Sequence, residues 1–191
     1  MSISLRGFLA PVFPLLLAVA VQADPSDNFF LRGGEHEGVF LRGEFGLYGR
    51  QELERHKPDT IKIYDVNTAH GFGVGLGWAV VPRWIAHLQF EWAPVSMDYM
   101  VYMAVGPALT WYTPVANTFL TGHWGYARMN QLGGDQGWRW SVAIGKELLF
   151  AEQYGIGIKL THGGVSWDEG RASYPTWKMQ GTQIQLVATI N

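Results

Sequence analysis

The sequence predicts an all-β fold, an eight-stranded antiparallel up-and-down transmembrane β-barrel. Three observations predict it. Eight segments alternate bulky apolar residues with small or polar ones, which is the period-two signature of a strand. The connections between them alternate long and short, the order expected when short turns gather at one rim and long loops at the other. Aromatic residues concentrate toward both ends of the segments, where membrane boundaries favour amphipathic rings. Composition agrees. Of 191 residues 48% are hydrophobic and only 16% charged, with 24 Gly, 9 Trp, 8 Tyr and 10 Phe, whereas soluble domains carry about 25% charged residues. The formal charge of −2 supplies no basic face for nucleic acid. The absence of Cys excludes disulfides and thiolate metal sites.

Residues 1–23 read as a signal peptide. Arg6 supplies the positive end, an apolar run extends from Phe8 to Val21, and Val21-Gln22-Ala23 precedes the expected cleavage. The run falls short of the roughly 20 apolar residues of a spanning helix. Residues 24–37 form an irregular, polar segment, and residues 38–191 form the barrel domain. Beyond residue 23 no stretch of 18 apolar residues occurs. A membrane-crossing mature chain must then be a closed barrel, since only helices and barrels satisfy every backbone group in lipid.

In the first segment Val39, Leu41, Phe45 and Leu47 oppose Phe40, Arg42, Glu44 and Tyr48, and a long polar loop is expected over 50–68. The second is the sharpest: Phe72, Val74, Leu76, Trp78 and Val80 alternate with Gly71, Gly73, Gly75, Gly77 and Ala79. After the tight turn Val81-Pro82-Arg83, the third sets Trp84, Ala86, Leu88, Phe90 and Trp92 against Ile85, His87, Gln89 and Glu91. The fourth carries Val101, Met103, Val105, Leu109 and Trp111, with Pro107 on the same side removing one ladder donor. Leu120, Trp124 and Tyr126 mark the fifth, and Trp138, Trp140, Val142 and Ile144 the sixth. Tyr154, Ile156, Ile158 and Leu160 mark the seventh, a polar loop is expected over 163–176, and Ile184, Leu186, Ala188 and Ile190 mark the eighth.

The apolar side must face lipid for reasons of volume. Eight strands enclose a lumen just wide enough for side chains to fill. Trp78, Trp84, Phe90, Trp92, Trp111, Trp124, Trp138 and Trp140 cannot share it, which argues against a soluble barrel with a greasy interior. Gly, Ala and Thr on the other side leave room for Arg42 and Gln89. Two aromatic girdles result: Trp78, Trp84, Trp111 and Tyr154 beside the short turns, and Trp92, Tyr126, Trp138 and Trp177 toward the long loops.

The stretches at 71–84 (GFGVGLGWAVVPRW), 105–125 (VGPALTWYTPVANTFLTGHWG) and 137–160 (GWRWSVAIGKELLFAEQYGIGIKL) together resemble the small eight-stranded outer-membrane β-barrel superfamily of opacity-protein-like proteins. The resemblance covers most of the mature chain and implies a cell outer-membrane location. It implies no active-site motif. Members commonly end on an aromatic residue, where this chain has Ile190-Asn191.

The inward side collects Arg42, Glu44, His87, Gln89, Glu91, His123, Arg139, Glu147 and Lys159. Buried charges need partners, so these residues predict an ion-paired and hydrogen-bonded plug, with Arg42 or Arg139 expected on Glu44 or Glu91; a narrow gated pore or proton path is the alternative reading of the same residues. His162 continues the outward parity of Ile158 and Leu160, and Ser166 and Glu169 follow. A Ser, a His and an acid can form a nucleophilic set, as in lipid A deacylase barrels. Those carry the Ser two residues beyond the His, where this chain has Gly164. The sequence therefore predicts a non-enzymatic integral membrane protein of structural or surface-interaction type. A lipid A-modifying enzyme using His162 and Ser166 is the alternative. Glu35-His36-Glu37, His56 and His70 show no metal-ligand spacing. No catalytic, cofactor or metal site is expected. The expected partners are outer-membrane lipids and an extracellular ligand held through the loops 50–68 and 163–176, on a monomeric barrel.

Overall fold

The computed structural model describes residues 38–57, 60–67, 71–95, 100–114, 117–129, 136–150, 154–168 and 176–190. The expected signal peptide, the segment 24–37, His70 and Glu169 lie outside them. Among the described residues nine strands follow in chain order: β1 (Val39–Lys57), β2 (Thr60–Asn67), β3 (Phe72–Val81), β4 (Trp84–Val95), β5 (Met100–Tyr112), β6 (Thr118–Met129), β7 (Gln136–Phe150), β8 (Tyr154–Asp168) and β9 (Thr176–Ile190). All pair antiparallel in the order β2-β1-β3-β4-β5-β6-β7-β8-β9, and β1 also pairs with β9, which closes the ring. The barrel wall is thus the eight strands β1 and β3 to β9. β2 stands outside the ring, on the far half of β1.

Register shows the tilt. One row of cross-strand partners runs Val39, Trp78, Ala86, Leu109, Gly122, Val142, His162, Thr182 and Arg50. It leaves β1 at Val39 and returns to it at Arg50, eleven positions further on, so the strands lean steeply across the barrel axis, as closure requires. Residues along this row climb progressively toward the rim that holds the long connections.

The side-chain alternation sorts as the volume argument demands. Trp78, Leu88, Trp124 and Trp138 are 57–59% exposed on the outside. All nine inward polar and charged residues predicted above are buried. Glycines make that interior feasible. A Cβ on Gly75 would stand 2.8 Å from Gln89 and 2.9 Å from His87, and one on Gly145 would stand 2.2 Å from the Phe119 ring. At Pro107 the ladder to β4 holds, while pairing to β6 lapses at Gly106 and Pro107. The missing donor falls on one side of the strand only. In the tight turn after β3, Arg83 takes φ 77°, a left-handed conformation that only a turn of this kind asks of a non-glycine residue.

Three expectations need correction. Residues 50–68 are not a loop: β1 continues to Lys57, and β2 folds back on it from Lys57↔Thr60 to Arg50↔Asn67. Above the lipid the outward side of a strand meets water, so Arg50, Glu52 and Glu54 read as loop while Gln51 and Leu53 remain inward and buried. Second, a register shift between Gly46 and Tyr48 marks a bulge at Leu47. It reverses the parity of β1: the inward series Arg42 and Glu44 is continued by Gly49, Gln51 and Leu53 and not by the even-numbered positions expected from the sequence at Tyr48. Third, much of 163–176 is strand, because β8 runs to Asp168 and β9 begins at Thr176. Trp167, expected in an exposed recognition loop, is fully buried.

Candidate functional site

The inward face of β4 gives the plan of the lumen in five residues. Ile85 lies nearest the tight turn, His87, Gln89 and Glu91 follow, and Ala93 lies toward the opposite rim. Ile85 belongs to an apolar cluster with Phe40, Tyr112, Phe119 and Val187. Ala93 belongs to another, with Leu53, Tyr102, Met129, Trp167 and Met179. The polar belt between them is covered at each end by an apolar layer.

Every carboxylate buried in this belt, among the described residues, faces a buried cation. Nearest the tight-turn rim, the Arg42 guanidinium donates to Glu147 Oε1 at 3.0 Å and to the Tyr112 hydroxyl at 2.6 Å. Tyr112 in turn donates to Glu147 Oε2 at 2.9 Å, and Thr189 donates to Oε1 at 2.8 Å. Arg42 also sits over the Phe119 ring, 4.3 Å from its centroid. In the middle, Lys159 Nζ meets Glu44 Oε1 at 2.5 Å, and Gln89 donates to Glu44 Oε2 at 3.0 Å. Toward the other rim, Arg139 Nε and the Tyr102 hydroxyl donate to Glu91 Oε2 at 2.9 and 2.5 Å, with His123 Nδ1 3.4 Å from Oε1. Taking such charges out of water is costly, and the cost is met only where attraction is joined by further hydrogen bonds. The hydroxyls of Tyr102, Tyr112 and Thr189 supply them here.

The expected ion-paired plug is present, with its pairing partly redrawn. Arg139 does take Glu91. Arg42 takes Glu147 rather than Glu44 or Glu91, and Glu44 takes Lys159. Reading partners from nearby sequence misses these because neighbouring wall strands lie far apart in the chain: Glu147 is 105 residues from Arg42. The tyrosine contributions were also missed at Tyr112, though its alternation with outward Trp111 carries the signal.

His162 and Ser166 do not form a pair. Both face outward on β8, four residues apart, a separation of about 13 Å along a strand. The His162 ring is engaged instead by Thr182, with Nδ1 to Oγ1 at 3.1 Å, and by Gln180 at 3.3 Å from Nε2. The Trp140 ring lies edge-on to it at 5.8 Å. Among the described residues, no three His, Asp or Glu side chains gather as a metal site would need.

No protein-family model matches the chain, and no curated protein sequence matches it. Solved structures do. The outer membrane protein AlkL, determined in DMPC lipid bilayers, is 10% identical with a TM-score of 0.50, over 88% of this chain and 95% of that one. OprG of Pseudomonas aeruginosa is 10% identical with a TM-score of 0.48, over 83% and 98%. Ail, the attachment invasion locus protein of Yersinia pestis, is 11% identical with a TM-score of 0.33, over 78% and 99%. At 10% identity the likeness to AlkL speaks to fold alone. With its apolar exterior, polar lumen and closed eight-strand ring, the chain has the fold of the small outer-membrane β-barrels.

Proposed function

We propose that this protein is a non-enzymatic, integral outer-membrane protein whose barrel is a sealed scaffold and whose interactions occur on its outward surface and its long-connection rim. The observation that carries this reading is the lumen. Three ion pairs fill its middle and an apolar layer closes each end. An ion crossing it would have to break a charge-assisted network and then enter greasy packing. The outward end offers surface instead: the hairpin of β1 and β2 exposes Ile61, Lys62, Ile63 and Asp65, and exposed segments on a rigid scaffold are where recognition concentrates. The separation of His162 from Ser166 favours this reading over lipid deacylation.

Planar-bilayer recording of the purified, folded barrel tests it. The expected record is a closed baseline without steady conductance steps. Reproducible long-lived open events would overturn the sealed-scaffold reading. Membrane fractionation tests the location separately, and recovery in the soluble or inner-membrane fraction would refute it.

A further inference from the structure

On one side of the barrel the outward apolar band stops early. Along β8 the outward residues are Ile158 and Leu160, then His162 and Ser166. Along β9, Ile184 gives way to Thr182, Gln180 and Lys178, and along β1 Leu47 gives way to Arg50, Glu52 and Glu54. Register brings these together: Arg50 aligns with Thr182, Glu52 with Gln180, Glu54 with Lys178, and His162 with Thr182. On the neighbouring face β7 stays apolar through Val142, Trp140 and Trp138. His162 is the row partner of Val142, four positions below Trp138. With strands tilted about 40° and rising about 3.3 Å per residue, His162 lies roughly 7 Å deeper in the membrane than Trp138. A polar notch is cut into the outer edge of the lipid-facing wall.

That notch is a groove of about 430 Å³, lined by Arg50, Glu52, His162, Lys178, Gln180 and Thr182 among others. The Trp140 ring lies edge-on to His162 at 5.8 Å, and Gly164 makes that approach feasible, since a Cβ there would stand 3.0 Å from the indole Nε1. Below the groove lie Leu160 and Ile184, both exposed and suited to acyl chains. The lining mixes signs. Lys178 and Arg50 are cationic, Arg50 being partly engaged by Asp65 at 2.9 Å, while Glu52 and Glu54 are acidic and Gln180 and Thr182 are neutral. A simple anion would gain little from so balanced a surface. A headgroup carrying both phosphate and many hydroxyls would use all of it, with phosphate on Lys178 and hydroxyls on Glu52, Gln180 and Thr182.

We propose that this groove binds the phosphorylated saccharide headgroup of an outer-leaflet glycolipid, its acyl chains lying against β8 and β9. The inference rests on the outer-membrane reading above for its ligand's presence, though the binding itself is tested on purified protein. Native mass spectrometry from detergent micelles, with diphosphoryl lipid A, its dephosphorylated form and phosphatidylglycerol as probes, reads the affinity directly. Diphosphoryl lipid A should bind one per barrel, at least tenfold more tightly than either other lipid. Lys178→Gln combined with His162→Ala should weaken it at least tenfold, while Arg128→Gln, outward on β6 and outside the groove's lining, should leave it unchanged. Heat-modifiable gel migration confirms that each variant is folded. Equal retention of phosphatidylglycerol, or a loss smaller than tenfold in the groove variant, overturns the proposal. Failure of fractionation to find the protein in the outer membrane would sink the location without altering these affinities.

Discussion

Replacing Glu147 by Gln tests the ion-paired lumen where it is most tightly built. Glu147 is 1% exposed and receives Arg42, Tyr112 and Thr189 within 3.0 Å. The amide keeps the shape of the carboxylate, but it removes the negative charge and turns one acceptor into a donor. Arg42, itself fully buried, is then left as an uncompensated cation, and either Tyr112 or Thr189 meets an N–H where it had an acceptor. Breaking a buried pair in this way costs about 3–5 kcal/mol. Glu147→Leu with Arg42→Met removes both charges, and well-packed apolar replacements of such pairs are often neutral or stabilising by about 1–4 kcal/mol. The double variant should therefore recover most of the single variant's loss. Urea unfolding in lipid vesicles, followed by tryptophan emission and by heat-modifiable migration, measures each variant. A loss below about 1 kcal/mol for Glu147→Gln, with no recovery in the double variant, would refute the claim that charge pairing holds the lumen together.

Other expectations follow from the same packing. Leu88 is 57% exposed and lies midway between Trp84 and Trp92 on β4, so Leu88→Arg should cost about 2–4 kcal/mol in vesicle unfolding, as a cation at the bilayer midplane does; a cost near zero would mean that this face does not meet hydrocarbon. Gly145→Val drives a side chain into Phe119 and toward the Ile158 carbonyl and should destabilise by about 1–3 kcal/mol in the same assay. Mass spectrometry of lipid A after expression should give identical acyl patterns for the wild type and for His162→Ala. Loss of one acyl chain in the wild type alone would restore the deacylase alternative.

Legibility in the sequence followed the physics of the lipid-facing band. Within it every strand has one face in hydrocarbon and one in a narrow lumen, so period two is enforced on both sides. β3 shows this at its clearest, because Gly73 and Gly75 must be small for Gln89 and His87 to fit. Outside the band that pressure lapses. The upper halves of β1 and β8 look like loops because Arg50, Glu52 and Ser166 face water, although their partners continue the ladder. Trp167 was readable in principle: it keeps the parity of Lys159, Thr161 and Val165, all buried. The bulge at Leu47 was not, since a single inserted residue leaves no mark in an alternation that resumes on the opposite face. Ion partners were least legible, because register around a closed ring pairs residues by tilt and not by proximity in the chain.

The interior and exterior place opposite demands on charge, and this separation bears on function. Inside, among the described residues, each buried Glu is matched with a buried Arg or Lys, so the belt carries no net charge from these residues. Outside, among the described residues, polar side chains reach deepest on β8 and β9, at His162 and Thr182. An outward histidine roughly 7 Å deeper than Trp138 would be a liability to a barrel that only needed to sit in lipid, since polar groups are disfavoured there. Thr182 and Gln180 satisfy its ring nitrogens, which makes the position tolerable but does not explain why Leu or Ile is absent. A headgroup drawn down to that depth does explain it. Replacing His162 by Leu should therefore stabilise the barrel in vesicles of phosphatidylcholine alone, by up to about 1 kcal/mol from added apolar contact with lipid. The gain should shrink in vesicles containing diphosphoryl lipid A, as the wild type recovers its ligand. An equal gain in both membranes would mean that the histidine contributes nothing to lipid recognition.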